Sequence, residues 1–341
     1  NGPGVCRPGG GIFGADEAWT GDWQFTGSRA DRLAPDRRDV RFDLEGADGV
    51  FNLEVPAVLR RFDELTDFNY DLSGQLEYAF SDTTSVTFGG KGIRRERDSE
   101  SETYGYIGGQ AVDDNAPNRL TSDVLTIDNI TGNTQTGYSF DDKTLPSDSY
   151  DSKLNLYSAF AQLDTLLLAD KLQIVAGARF EDFEQSTNTF RTEGDQGPIT
   201  AVLEDSQLLP TLNLNWFMTD NQQLRFGVSK TVSRPDFKEQ SNAVFFDPDF
   251  DVRVRGNPNL DIATAINVDL RYEFYWNDAD SMSYGLFYKD LDNPIERVVL
   301  TASGTASNSR TFENAESGRV FGAEGNRGLG LTFVRLMART H

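Results

Sequence analysis

Cysteine and histidine, the side chains of zinc sites and of many nucleophile and base pairs, are nearly missing. The 341-residue chain has one cysteine, Cys6, and one histidine, His341, at its last position. No internal disulfide can form, and zinc sites built from clustered His and Cys are excluded. No apolar run approaches the roughly 18 residues of a spanning helix. That absence does not exclude a membrane barrel, because a polar lumen cancels the lipid face in averages such as the mean hydropathy of -0.50. Bases are scarce as well, with 32 Lys and Arg against 54 Asp and Glu and a net charge of -22. Phosphate binding needs a basic footprint, so no nucleic-acid partner is expected. The Gly- and Pro-rich start shows no basic stretch followed by an apolar one, so an exported protein would have had its front removed.

What the chain does have is alternation. In residues 267–276, Val268, Leu270, Tyr272, Phe274 and Trp276 alternate with Asn267, Asp269, Arg271 and Glu273, and residues 282–289 repeat the pattern with Met282, Tyr284, Leu286 and Tyr288. A two-residue period places each apolar set on one face of a strand. The same period marks residues 72–80, 86–88, 172–180, 212–218 and 224–232, with further strands expected at 23–29 and 40–44. About ten residues suffice for a tilted strand to cross a bilayer. Trp276 and Tyr288 stand where interfacial aromatics belong. A soluble sandwich hairpin would alternate equally well.

Connection lengths separate the two readings. Short turns at 81–83, 219–223 and 277–281 alternate with long polar segments at 96–152, 186–207, 233–265 and 291–310. Soluble domains rarely repeat structureless loops beyond about 12–15 residues, whereas outer-membrane barrels combine short periplasmic turns with long extracellular loops. The expected fold is all-β, a transmembrane antiparallel β-barrel. The apolar sets carry no charge, so Phe274→Arg is expected to block membrane assembly and Glu273→Lys, on the polar face, to be tolerated.

Residues 209–324 contain LPTLNLNWFMTDNQQLRFGVSKTVSRPDF, VRGNPNLDIATAINVDLRYEFYW, GLFYKDLDNPIERVV and FENAESGRVFGAE. These runs resemble the distal barrel of TonB-dependent outer-membrane receptors, with Ser233-Arg234-Pro235 and Gly256-Asn257-Pro258-Asn259-Leu260 carrying most of the likeness. Residues 70–95 and 157–183 resemble the family more weakly. The resemblance implies a barrel of about 22 strands closed by a globular plug. Period-2 reading places about eleven strands here. Residues 1–324 are therefore expected to form about half a barrel, without the plug. Residues 325–341 form an atypical tail without acids, consistent with a frameshift or truncation near Glu324.

Candidate chemistry is sparse. Glu181 with Glu184, or Asp141 with Asp142, has the composition of a glycosidase pair, but solvated loop or lumen charges are the simpler reading. Asp247, Asp249 and Asp251 have the spacing that opens a calcium loop, yet Val252 stands where glycine is required and Pro258 where the bidentate glutamate belongs. Gly89-Gly90-Lys91 lacks the rest of a phosphate loop. Pro235, Gly256 and Asn257-Pro258 read as loop architecture. The ligand-binding candidates are the basic cluster Arg94, Arg95 and Arg97, the aromatics Tyr104, Tyr106, Phe245 and Phe246, and Arg255. The aromatics have flat faces that stack on sugars, and the basic cluster suits an anionic chelate or lipopolysaccharide.

No catalytic residue, metal site or cofactor is expected. By resemblance, the function is uptake of a scarce ligand (ferric chelate, cobalamin or oligosaccharide) across the outer membrane of a Gram-negative bacterium. The implied partners are the TonB energising complex, reached through the plug, a small-molecule ligand, and outer-membrane lipid and lipopolysaccharide. A passive porin-type channel and a secreted β-sandwich that binds glycans remain the alternatives. If the tail arose by frameshift, translating the nucleotides beyond Glu324 in the other two frames will reveal further alternating strands. Stop codons in both frames would end that idea.

Overall fold

The computed structural model describes residues 5–16, 18–45, 50–53, 58–109, 124–191, 197–247, 252–276, 280–300, 309–327 and 331–338. Among them the strands are, in order, β1 (Val5–Asp16), β2 (Trp19–Asp39), β3 (Phe42–Glu45), β4 (Val50–Leu53), β5 (Leu59–Ser81), β6 (Thr84–Gly108), β7 (Tyr138–Asp142), β8 (Tyr150–Leu167), β9 (Leu172–Phe190) and β10 (Pro198–Thr219). They continue with β11 (Gln222–Ser233), β12 (Val244–Asp247), β13 (Val252–Arg255), β14 (Ala263–Tyr275), β15 (Ser281–Asp292), β16 (Ile295–Val299), β17 (Ser309–Asn314), β18 (Ser317–Arg327) and β19 (Leu331–Ala338).

One 13-stranded sheet runs in the order β1-β2-β5-β6-β8-β9-β10-β11-β14-β15-β18-β19, with β7 added to β6. Every neighbouring pair is antiparallel. Among the described residues β1 and β19 do not pair with each other, so the sheet is an open wall, a partial barrel.

Register explains the alternation. Leu214 pairs with Phe226, Phe226 with Leu270, Leu270 with Leu286 and Leu286 with Ala323, so one apolar row crosses five strands. Phe25, Leu72, Gly92 and Tyr157 make a similar row on the other half. These side chains are uncovered: Leu72 and Leu286 are 56% and 58% exposed. In water such a surface would be a liability, and in lipid it is the required solvent-facing side. Aromatics bound the apolar band. Trp19, Tyr78, Phe80, Phe274 and Trp276 gather near the short-turn end, where Trp19 and Tyr78 lie 4.6 Å apart and Phe274 and Trp276 5.0 Å apart. Tyr70, Tyr157, Tyr288 and Phe321 lie toward the other end.

The strands outrun the bilayer. β5 and β6 have 23 and 25 residues, against the roughly 9–11 that a crossing needs. The expected loop at 186–207 is mostly strand, because β9 and β10 pair from Trp216↔Leu172 up to Pro198↔Phe190. The expected strand at 40–44 begins only at Phe42, in the separate β3–β4 hairpin. A further short turn joins β8 to β9, with Leu168, Ala169 and Asp170 at φ 56°, 54° and 65°. The expected turn at 277–281 falls largely on residues 277–279, which lie outside the described residues.

The long segments at 233–265 and 291–310 are not structureless. They contribute β12, β13, β17 and β16 to a four-stranded sheet in that order, β13 and β17 running parallel. Val252, Val254, Leu260 and Phe312 form its own buried core.

The wall tolerates charge on only one face. Leu270→Arg in the full-length protein is expected to cost about 2–4 kcal/mol and to abolish the heat-modifiable band of the folded barrel. Asp269→Asn, one residue away and facing inward, should leave that band intact.

Candidate functional site

The chain leaving β11 turns back against the inward face of the wall. Pro235 cannot continue the ladder, and Asp236 caps the short helix α1 (Phe237–Gln240), accepting from the Lys238 N–H at 3.1 Å. The Asp236 N–H donates in turn to Glu239 at 2.9 Å, so both ends of the capping box are made. Gln185 on β9 donates to the Gln240 side-chain oxygen at 2.8 Å and to the Pro235 carbonyl at 3.2 Å; Thr187 donates to the same Gln240 oxygen at 3.2 Å. These groups are buried, and a buried amide is kept in place by its partners.

Two ion-pair groups fasten the segment on either side of α1. Arg234 reaches Glu181 at 2.9 Å and Asp205 at 3.5 Å, its guanidinium 4.4 Å from the Phe183 ring centre. Arg95 and Arg97 share Asp67, each at 2.7 Å, and both stand 5.2 Å from the Phe237 ring centre. Arg97 also meets Asp236 at 3.2 Å. Below Arg234 a cleft of about 630 Å³ is lined by Gln162, Arg179, Thr211 and Lys230 among others.

Gly256 completes the fold-back. A Cβ there would sit 2.0 Å from the Ser241 carbonyl oxygen and 2.6 Å from that of Lys238. Only glycine allows the approach, after which the Asn257 N–H donates to the Glu239 carbonyl at 2.7 Å and its side chain to the Phe312 carbonyl at 2.8 Å. The two sequence motifs noted above therefore meet, and what they build is loop architecture.

Alternation divides the basic cluster. Arg95 and Arg97 face inward, whereas Arg94 shares its face with Tyr70 and pairs with Glu96 at 2.6 Å. Tyr104 is half-buried, donating its hydroxyl to Glu102 at 3.2 Å. Tyr106 lies in a core with Val58, Val124 and Tyr138, its ring 5.2 Å from Phe140. Phe245 is half-buried with Lys238 Nζ 3.5 Å above its ring, and Arg255 on β13 is half-buried and already has an interaction partner. Phe246 pairs through its backbone with Arg253, and its side chain lies outside the described residues. The structure thus brings Arg95, Arg97 and Phe245 around α1 and places Arg94 and Tyr106 elsewhere. Phe237, Gln185 and Gln240 escaped sequence reading, and Arg234 entered it only as part of the Ser233-Arg234-Pro235 motif. The one available signal was the SRPDFKEQ capping pattern after an alternating strand.

The remaining acidic pairs are parted by strand geometry. Glu181 is buried on Arg234, while Glu184 is exposed on the other face. Asp141 pairs with Lys143 and Asp142 accepts from Thr144. Asp247 meets Arg297 at 2.7 Å, and Asp249 and Asp251 lie outside the described residues. Lys91 pairs with Asp71 at 2.6 Å.

Glu273 requires a correction to the tolerance expected of it. Arg225 and Arg271 are directly paired across β11 and β14, a repulsive arrangement. Glu273 holds both, at 3.6 Å and 2.9 Å, and also accepts from Gln223 and, at 2.7 Å, from the Tyr275 hydroxyl. It is 7% exposed and acts as the hub of this network.

An uncovered apolar band between aromatic rims and a polar inward face define the wall of an outer-membrane β-barrel. The model of the TonB dependent receptor-like β-barrel family matches residues 8–337, and the chain belongs to that family of transport receptors of the Gram-negative outer membrane. Solved structures with the same fold include the copper transporter OprC (TM-score 0.61, 12% identity), covering 95% of this chain and 44% of that one. The siderophore receptor PiuA from Acinetobacter baumannii has a TM-score of 0.55 at 13% identity, with 95% and 44% coverage. The ferric yersiniabactin uptake receptor FyuA from Yersinia pestis has 0.54 at 14%, with 95% and 39%. The chain spans less than half the length of each. No curated protein matches its sequence.

Two substitutions separate loop from wall. Gly256→Ala overpacks the fold-back at a cost of about 1–3 kcal/mol, and is expected to speed protease cleavage within residues 234–262 while the barrel melting temperature holds. Glu273→Lys strands two arginines and adds a third cation. It is expected to destabilise the wall by about 1–3 kcal/mol, read as a lower melting temperature in detergent, with Glu273→Gln milder.

Proposed function

We propose that this chain is barrel wall and mouth of a receptor that captures a small-molecule ligand at the cell surface and imports it with energy from the TonB complex. It is a transporter part rather than an enzyme. One observation supports the reading most: the segment after β11 is fastened inward by Arg234, Gln240 and Phe237 instead of standing away in solvent. Inward-folded loops offer binding groups to whatever enters the lumen, and they narrow the bore that a passive channel would keep open. The short turns then face the periplasm and the long strand extensions the outside. Outward-facing Arg29, Arg94, Lys153 and Arg319 lie on the extension side of the apolar band. We assign to them the phosphate-rich head groups of outer-leaflet lipopolysaccharide.

The test is uptake by the complete gene product in cells with and without TonB, supplied with ferric chelates, cobalamin and oligosaccharides in turn. Uptake of one of these should disappear without TonB. Uptake that persists unchanged would favour the porin-type channel.

A further inference from the structure

A second inward cavity, of about 400 Å³, lies between the outer halves of β2, β5 and β6 and the fold-back segment that carries α1. Its lining holds five cations, Arg32, Arg37, Arg61, Arg97 and Lys238, against the three carboxylates Asp63, Glu64 and Asp148. That excess occurs in a chain with a net charge of -22.

The register makes the excess hard to explain by folding alone. Two arginine pairs stand directly opposed on β2 and β5, Arg38↔Arg60 and Arg37↔Arg61. Opposed like charges destabilise a sheet. The first pair is neutralised by Asp36, which meets Arg60 at 2.5 Å and Arg38 at 2.6 Å and whose carboxyl is held far below the usual carboxylate range by these two guanidiniums. Asp36 adopts φ 57° at the β2 bulge in doing so. In the second pair Arg37 meets Asp39 at 3.5 Å. Among the described residues neither Arg61 nor Arg32 forms an ion pair, although both line the cavity.

The carboxylates present are partly engaged. Asp63 accepts from the Ser101 hydroxyl at 2.6 Å, and Asp148 accepts from the Leu145 N–H at 3.0 Å. Burial raises the Asp148 carboxyl above its ordinary value, and burial with the nearby Arg32 lowers the Lys238 ammonium. Lys238 stands over the Phe245 ring, with Arg32 opposing its charge and Asp63, Asp236 and Asp247 supporting it.

We propose that this cavity binds a small polyanion carrying two or more carboxylate or phosphate groups, gripped by Arg32, Arg61 and Lys238. Guanidinium forks match both oxyanion geometries bidentately, which is why the shared chemistry is named. The proposal rests on the receptor reading for its biological sense and names the ligand class for that receptor.

The experiment is calorimetric titration of the complete receptor in detergent with citrate, pyrophosphate and uncharged maltotriose. Binding of citrate, pyrophosphate or both is expected, weakening as salt is raised; the anion preferred tells carboxylate from phosphate recognition. Arg32→Gln with Arg61→Gln should weaken that binding at least about tenfold. Arg61 also acts electrostatically on the half-buried Asp148, so Lys238→Met is the independent second variant. Lys171→Gln, in the exposed short turn between β8 and β9 at the opposite end of the wall, should leave affinity unchanged. Binding of neither anion, of maltotriose alone, or equally tight anion binding in both the double variant and Lys238→Met would overturn the proposal. Anion binding lost while TonB-dependent uptake of another compound stands would overturn it and spare the receptor reading. TonB-independent uptake with anion binding intact would do the reverse.

Discussion

Everything in this wall depends on backbone pairing in a solvent that cannot hydrogen-bond. In lipid each unpaired N–H or C=O costs several kcal/mol, so the ladder must run without interruption across the bilayer. An uninterrupted ladder fixes register, and register fixes parity: a slip of one residue would turn Leu270 inward and Arg271 into lipid. The row Leu214–Phe226–Leu270–Leu286–Ala323 and the inward row Arg225–Arg271–Gly285–Glu324 are consequences of the same pairing.

The inward rows then face a second requirement, because parity crowds charges that repel. Glu273 answers it within the bilayer span by holding Arg225 and Arg271. Asp67 answers it further out by bridging Arg95 and Arg97. In both cases one carboxylate serves two arginines, which makes it irreplaceable in a way that alternation alone does not reveal. Glu181 differs: its arginine, Arg234, comes from the fold-back segment rather than from the wall. The same chemistry that quiets the wall therefore also fastens the mouth.

Legibility in the sequence followed the contrast between the two faces. Where one face meets lipid and the other water, period-2 alternation is sharp, and residues 72–80, 172–180, 212–218 and 268–275 all fall within observed strands. Beyond the bilayer that contrast fades, so 186–207 looked like loop although β9 and β10 continue through most of it. The inward residues there, Gln185, Thr187 and Thr189, are buried yet polar, because they meet the amide and backbone groups of the fold-back segment and Ser149. The β8–β9 turn carried no Gly, Pro or Asn to mark it, being Leu168, Ala169 and Asp170. At the candidate site, the basic cluster was visible as composition but not as geometry. Only the pairing separates Arg94 from Arg95 and Arg97, and only tertiary contact makes Tyr106 a core residue.

The distribution of charge gives the mouth its character. An overall charge of -22 repels anions at distances within the screening length, about 8–10 Å at ordinary salt. Inside a cavity walled by protein the nearest groups outweigh that background, since low-dielectric walls focus the field of local charges. Arg38 and Arg60 contribute little there, being tied to Asp36, whereas among the described residues Arg32 and Arg61 form no ion pair. For the polyanion proposed above, repulsion at range combined with attraction at contact selects a ligand compact enough to enter the cavity. A large acidic macromolecule would meet the first effect without reaching the second, so the charge pattern discriminates by size as well as by sign.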